Sequence, residues 1–230
     1  MNQHEAAVTL STQLTALLAP DVVGAELMGS GDADWLLPSE AACLGRAVAS
    51  RREEFAAGRA CARRALREFG VVDFPLTVAE DRRPVWPEGF VGSITHTEGY
   101  CACAVARRES LRSLGIDTER TGRVKPELWP RICGPERAWL QTLPADQRPV
   151  AATLIFSAKE AFYKCQYLLT REYLGFDDAH VEISSWGGEA GDFEVRACKP
   201  IALAQFTTLP LVGRYRFHQQ FLTAGVALAQ

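Results

Sequence analysis

Three acidic side chains in two segments carry the strongest chemical signal in this 230-residue chain. Gly115-Ile116-Asp117-Thr118-Glu119 holds two of them, and Phe156-Ser157-Ala158-Lys159-Glu160-Ala161-Phe162-Tyr163-Lys164 holds the third. Residues two apart on a strand point to the same side, so Asp117 and Glu119 can face one point where a strand runs out. Glu160 and Lys164 are four apart and stack on one face of a helix. If that helix packs beside the strand, three carboxylates meet. Mg²⁺ suits such a set, because it takes oxygen ligands and keeps positions for water and phosphate oxygens. Crowded carboxylates repel one another, and a cation relieves the repulsion. With Lys159 and Lys164 alongside, the residue types fit a divalent metal and a phosphate handled together. Taken singly, each piece also fits a plain surface. K-E-x-x-x-K on a helix is ordinarily a salt bridge worth about 0.3–0.5 kcal/mol.

A second, basic constellation lies upstream. In Arg51-Arg52-Glu53-Glu54-Phe55-Ala56-Ala57-Gly58-Arg59-Ala60-Cys61-Ala62-Arg63, the arginines at 52, 59 and 63 have helical spacings and can share a face, with Arg51 on its edge. Guanidinium forks match phosphate oxygens, although an exposed basic helix face would look the same. Asp81-Arg82-Arg83-Pro84-Val85-Trp86-Pro87 reads as a stiff turn able to hold an arginine over a ligand, or as a plain loop with Trp86 plugging the core. In Gly92-Ser93-Ile94-Thr95-His96, Gly92 permits close backbone approach, and two hydroxyls with one imidazole can bind a phosphate. The chain has no G-x-S-x-G nucleophile elbow, no Walker A loop and no G-x-G-x-x-G, which disfavours a P-loop ATP enzyme.

The elements that must position these residues can be read coarsely. Leu10, Leu14, Leu17 and Leu18 fit one face of a short helix. Residues 21–38 read as strand and loop, 39–69 as mostly helix ending at Gly70, and 71–90 as loop. Residues 91–106 read as a strand pair turning near Glu98-Gly99. Leu114 to Asp117 is extended, and 121–131 is irregular. Gly134-Pro135-Glu136 opens a helix that ends near Leu143. Residues 150–170 carry a wide apolar stripe that predicts the strongest helix. A hairpin is expected over 180–198, and further strand from Tyr215 to Ala229.

Composition narrows the class. A hydrophobic content of 47% with 23% charged residues is ordinary for a globular protein able to bury a substantial core. A net charge of −3 gives no global basic field, so nucleic-acid binding is not favoured. The seven cysteines include no C-x-x-C pair, and Cys101 and Cys103 alternate with alanines as buried strand residues do. Reduced cysteines, no basic-then-apolar leader and no run of about twenty apolar residues predict a cytoplasmic protein without a membrane span.

In their order, the motifs resemble one family closely. R-x-x-E-F-x-x-G-R-x-C-A-R (Arg51 to Arg63), R-x-P-x-W-P (Arg82 to Pro87), G-S-I-T-H (Gly92 to His96), G-I-D-x-E (Gly115 to Glu119) and F-S-x-K-E-A-x-Y-K (Phe156 to Lys164) together look like a 4′-phosphopantetheinyl transferase. The match is to the stand-alone bacterial type that serves siderophore, polyketide, nonribosomal peptide and fatty-acid systems. Any one motif can arise by chance, whereas five in order are specific. Thr95 stands where many members have Ser and keeps the hydroxyl.

The resemblance implies an α+β fold of two similar α/β subdomains about a pseudo-twofold axis, with the active site in the cleft. Residues 1–112 would contact the nucleotide and 3′-phosphate of coenzyme A, and 113–230 would hold the metal and catalytic residues. Asp117, Glu119 and Glu160 would bind Mg²⁺, with Mn²⁺ as the alternative. Lys164, with Lys159, would neutralise the pyrophosphate. Arg51, Arg59 and His96 would grip the 3′-phosphate with support from Ser93 and Thr95, and Arg82 would lie near the nucleotide. Coenzyme A would be the donor and a serine of an acyl or peptidyl carrier protein the acceptor, giving holo-carrier and adenosine 3′,5′-bisphosphate. Glu160, or a water it holds, would be the general base. A monomer is expected, and Trp129, Arg131 and Leu168 are the residues expected near a docked carrier, though Trp129 and Leu168 suit the core equally well. Two rival readings remain open. A Mg²⁺-dependent nucleotide hydrolase or nucleotidyl transferase needs the carboxylates but not Gly-Ser-Ile-Thr-His. A non-catalytic module binding coenzyme A or a carrier would typically have lost Glu160 or Lys164.

Overall fold

The computed structural model describes residues 7–230; the first six, on which the expectation of no leader partly falls, lie outside the described residues. The chain is α+β and divides into two compact units, Met1–Ser110 and Leu111–Gln230.

The first unit is a four-stranded antiparallel sheet in the order β1 (Thr9–Leu10), β2 (Val23–Met28), β4 (Tyr100–Arg107), β3 (Phe90–Thr97). A short helix α1 (Thr12–Leu17) buries Leu14 and Leu17 of the expected leucine face, whereas Leu10 lies exposed in β1 and Leu18 caps the helix half-buried. The long helix α3 (Ala49–Arg67) packs on β2 and β4, burying Phe55, Cys61, Ala62, Ala65 and Leu66. Its alanines and Gly58 keep it close to the sheet, where Ile94 of β3 lies 3.0 Å from where a Gly58 Cβ would stand. The helix expected over 39–69 is in fact two. A short α2 (Pro38–Ala42) ends before Gly45, whose φ of +50° and poor helix propensity break the alanine-rich run. β3 and β4 form the expected hairpin, Thr97 pairing with Tyr100 across Glu98-Gly99, and Gly99 takes φ +78°.

The second unit is a five-stranded antiparallel sheet in the order β5 (Leu111–Arg120), β9 (Phe221–Ala229), β8 (Leu211–His218), β7 (Ala190–Ala197), β6 (Ala179–Ile183). The expected strand from Tyr215 onward is the end of β8 plus β9, joined through Gln219 at φ +50°. Helix α6 (Arg148–Thr170) lies across β5 and β9 and stops at Arg171, which adopts the left-handed conformation. Leu154, Ala158, Phe162 and Cys165 face Phe193, Tyr215, Leu222 and Val226 in a dry core. Two short helices, α4 (Trp129–Ile132) and α5 (Arg137–Thr142), cover the first half of α6 through Ile132, Leu140 and Ile155.

All seven cysteines are free thiols, five of them buried. Among the described residues no helix is long and apolar enough to cross a membrane.

Candidate active site

The acidic site is built where α6 crosses β5. At Gly115 an added Cβ would stand 2.0 Å from the Ala161 carbonyl oxygen, so only glycine lets the helix backbone pass this close. Ser113 Oγ donates to the Cys165 carbonyl at 2.6 Å and fastens the same crossing. One turn along, Lys164 Nζ donates to the Ile116 carbonyl at 2.9 Å and to Asp117 Oδ1 at 2.8 Å. The β5 alternation then sends Asp117 and Glu119 to one side, both only 7% exposed. Burial pushes the Glu160 carboxyl above its ordinary range, the negative charge of Asp117 adds to the rise, Lys164 opposes it, and Glu119 raises it a little more. Four charges thus act on one another at this crossing.

Among the described residues no three His, Cys, Asp or Glu side chains already converge at metal-ligand spacing. The carboxylates meet cations: Asp117 pairs with Lys164, and Glu119 Oε2 with Arg123. A nearby ammonium and guanidinium thus share in neutralising them. The donor set nevertheless fits a hard cation. Asp117 Oδ2 is buried and has no hydrogen-bond partner, and the Glu160 carboxyl, raised first by burial and next by Asp117, is the kind of oxygen that a divalent ion would stabilise as a carboxylate.

Lys159 departs from its expected place on the pyrophosphate. Its side chain is 2% exposed, and its ammonium donates to the Ile132 carbonyl (2.9 Å), the Phe176 carbonyl (2.9 Å) and Glu136 Oε2 (3.0 Å). Three N–H donors meet three acceptors, which leaves none for a phosphate. Beside it opens a cavity of about 420 Å³, lined by Glu160 together with Arg131, Tyr163, Tyr173, Leu174 and Phe176. Trp129 packs on the α4–α6 cluster and donates to the Val124 carbonyl, a structural role, and Leu168 is half-buried.

In the first unit the structure brings Arg51 and His96 together, with 3.2 Å between Nη1 and Nε2 and Glu54 bridging both. Arg59 is buried, lies 3.4 Å over the Phe55 ring and donates through Nε to the Leu76 carbonyl, while its Nη2 has no partner. Burial lowers its pKa to about 10 against the opposing charge of Glu40, with a small part of the lowering from the positive charge of Arg51. Arg63 is not part of a binding face. It forms a two-oxygen ion pair with the fully buried Glu40, which also accepts from the Leu37 and Leu76 amides. Ser93 and Thr95 do not stand with His96, because alternation along β3 puts them on the opposite face, where both are buried. The space at Gly92 is filled by the Trp86 ring, 2.5 Å from where a Cβ would be, so the close approach there serves an indole. Arg82 is exposed at φ +66°, whereas Arg83 is tied to Asp81.

Residues 39–106 match the sequence pattern of the 4′-phosphopantetheinyl transferase N-terminal domain, and residues 113–211 match that of the 4′-phosphopantetheinyl transferase superfamily. The chain is 38% identical to 4′-phosphopantetheinyl transferase PptT of Mycobacterium tuberculosis, over 78% of this chain and 81% of that protein. The chain belongs to the 4′-phosphopantetheinyl transferase family. Two further 4′-phosphopantetheinyl transferases are similar. Npt of Nocardia iowensis is 36% identical over 78% of this chain and 81% of its own length. Svp of Streptomyces mobaraensis is 41% identical over 72% and 67%. As a 4′-phosphopantetheinyl transferase the chain is an enzyme.

Sequence reasoning missed two residues that pair with charged groups of the candidate site. Glu136 was read only as the opening of a helix, yet its carboxylate is buried against Lys159. Arg123 fell in a segment read as irregular, yet it pairs with Glu119. Its position four residues after Glu119 was a signal within reach.

Proposed function

We propose that the chain transfers the 4′-phosphopantetheine group of coenzyme A to a serine hydroxyl of an acyl or peptidyl carrier protein. The products are holo-carrier and adenosine 3′,5′-bisphosphate. The observation that carries this reading is the Asp117–Lys164 contact beside Glu160. It combines an ammonium, a buried carboxylate oxygen without a partner, and a carboxyl raised by burial and by its acidic neighbours.

Asp117, Glu119 and Glu160 are the residues that would hold Mg²⁺ or Mn²⁺. When bound, the ion supplies charge neutralisation to the diphosphate. The carrier serine oxygen bonds to the β-phosphorus of coenzyme A. The bond from that phosphorus to the bridging oxygen breaks, and the bisphosphate leaves with the electron pair. The serine proton passes to Glu160 or to a water that Glu160 holds; burial raises that carboxyl above its ordinary range and makes it a stronger base than an exposed glutamate. Lys164 offsets the charge that builds on the departing group. The cavity bordered by Glu160 suits the pantetheine arm, with apolar walls from Leu174 and Phe176. Arg51 and His96, with the unpartnered Nη2 of Arg59, are our candidates for the 3′-phosphate, because an anion relieves the crowding of like charges there. Arg82, on an exposed turn, is assigned to the nucleotide.

Intact-mass measurement of an apo-carrier incubated with the chain, coenzyme A and Mg²⁺ tests this. A phosphopantetheine adduct that disappears with EDTA is the expected result. Nucleotide turnover without a carrier would point to a hydrolase instead, and binding without an adduct to a non-catalytic module.

A further inference from the structure

We propose that Glu136 is a positioning residue for transfer: with Lys159 it forms a buried ionic latch that holds one wall of the active-site cavity against the helix bearing Glu160. The inference rests on the reaction proposed above for the step it affects, and on geometry alone for the latch itself.

Four segments meet at the latch. Lys159 comes from α6, Glu136 from the turn before α5, the Ile132 carbonyl from the end of α4, and the Phe176 carbonyl from the segment leading into β6. The second Glu136 oxygen accepts from the Val181 amide of β6 at 2.8 Å. Both side chains are 2% exposed, so neither charge has water to fall back on. The stretch from Leu174 to Ala179 lines the cavity, as does Arg131 next to Ile132. Lys159 directly precedes Glu160 and also lines the cavity, but its ammonium is turned to the Ile132, Phe176 and Glu136 oxygens, so the latch connects the wall to the reacting end of α6. Other contacts also hold the wall, since Asp178 pairs with Lys199 and accepts from the Gly175 amide and Phe176 packs on Phe156, but the latch is the ionic tie between the wall and α6. Losing either charge leaves the other buried and unpaired, and the wall must then open to admit water.

The test uses the full chain and three variants, Glu136→Gln, Lys159→Met and the double variant. Amide hydrogen exchange is read first and needs no substrate. In each variant residues 175–181 should exchange at least about tenfold faster, while β8 and β9 stay as protected as in the wild type. Transfer kinetics are read second. Both single variants should lose kcat by at least about tenfold with the KM for coenzyme A within about twofold of wild type, and the double variant should be no worse than the worse single. Unchanged exchange at 175–181 would overturn the latch. So would a Lys159→Met variant that raises KM while Glu136→Gln behaves as wild type, since Lys159 would then be a phosphate ligand. A wild type that forms no adduct would overturn the proposed function alone, because the exchange result still decides the latch.

Discussion

The backbone of Ala161 crosses Gly115 so closely that a methyl group at Gly115 would stand 2.0 Å from the Ala161 carbonyl oxygen and 2.7 Å from the Cys165 nitrogen. Backbone cannot swing aside as a side chain can, so the helix itself must lift. Gly115→Ala should therefore cost about 3 kcal/mol, read from the urea midpoint. Glu160 and Lys164 flank Ala161 and would move with it, so transfer should fall by at least about tenfold even in the folded fraction. An unchanged midpoint would mean that the crossing tolerates a Cβ and that Gly115 does not set the site.

That crossing also marks where the sequence stops being legible. The apolar stripe of α6, the β3–β4 hairpin and the polar turn at Glu98-Gly99 follow from local periodicity and turn chemistry, and they stand where they were expected. The division of 39–69 into two helices is harder to read, because alanines on both sides of Gly45 favour helix and a lone glycine can sit inside one; its left-handed backbone marks the break. In Gly-Ser-Ile-Thr-His the residues are neighbours along the chain, but the pleat separates Ser93 and Thr95 from His96. Lys159 shows the opposite problem. Its type and place suggest a phosphate ligand, and only the fold reveals that Glu136, 23 residues away, already holds its charge. Sequence identifies charged groups well. It says less about which charge each one answers.

Glu160 gives a pH dependence with a definite sign. Its carboxyl is raised above the ordinary 4.5, first by burial and next by Asp117, so the folded chain binds this proton more tightly than the unfolded chain. The stability it contributes is fully present below the unfolded value and is lost as pH rises through the folded one. Without metal, Glu160→Gln should remove that loss. The variant should be at least as stable as wild type at neutral pH, and its stability profile should be flatter above pH 4.5. It should form no holo-carrier. Near-normal turnover in this variant would exclude Glu160 as base and ligand together.

Lys164 and a divalent ion are predicted to compete for the same job. The ammonium pairs with Asp117 in the structure, leaving the other Asp117 oxygen buried and unpaired. Lys164→Met should lower the melting temperature in EDTA, because Asp117 then has no counter-charge. Added Mg²⁺ should recover more of that loss than it adds to wild type. Turnover should fall while carrier affinity stays close to wild type. A variant that melts alike with and without Mg²⁺ would separate Lys164 from the metal site.

Arg51 and His96 offer a test that uses the donor itself. The contact between them, 3.2 Å from guanidinium to imidazole with the Glu54 carboxylate against both, gathers polar groups able to bind a phosphate. Arg51→Ala removes a charge-assisted hydrogen bond worth about 1.5–3 kcal/mol, so the KM for coenzyme A should rise by about ten- to a hundredfold. With 3′-dephospho-coenzyme A as donor the same variant should match wild type, because the group it served is missing from the substrate. His96→Ala should follow the same pattern with a smaller factor, since a neutral imidazole makes the weaker bond. Equal losses on both donors would place Arg51 elsewhere on coenzyme A and leave the 3′-phosphate to other groups.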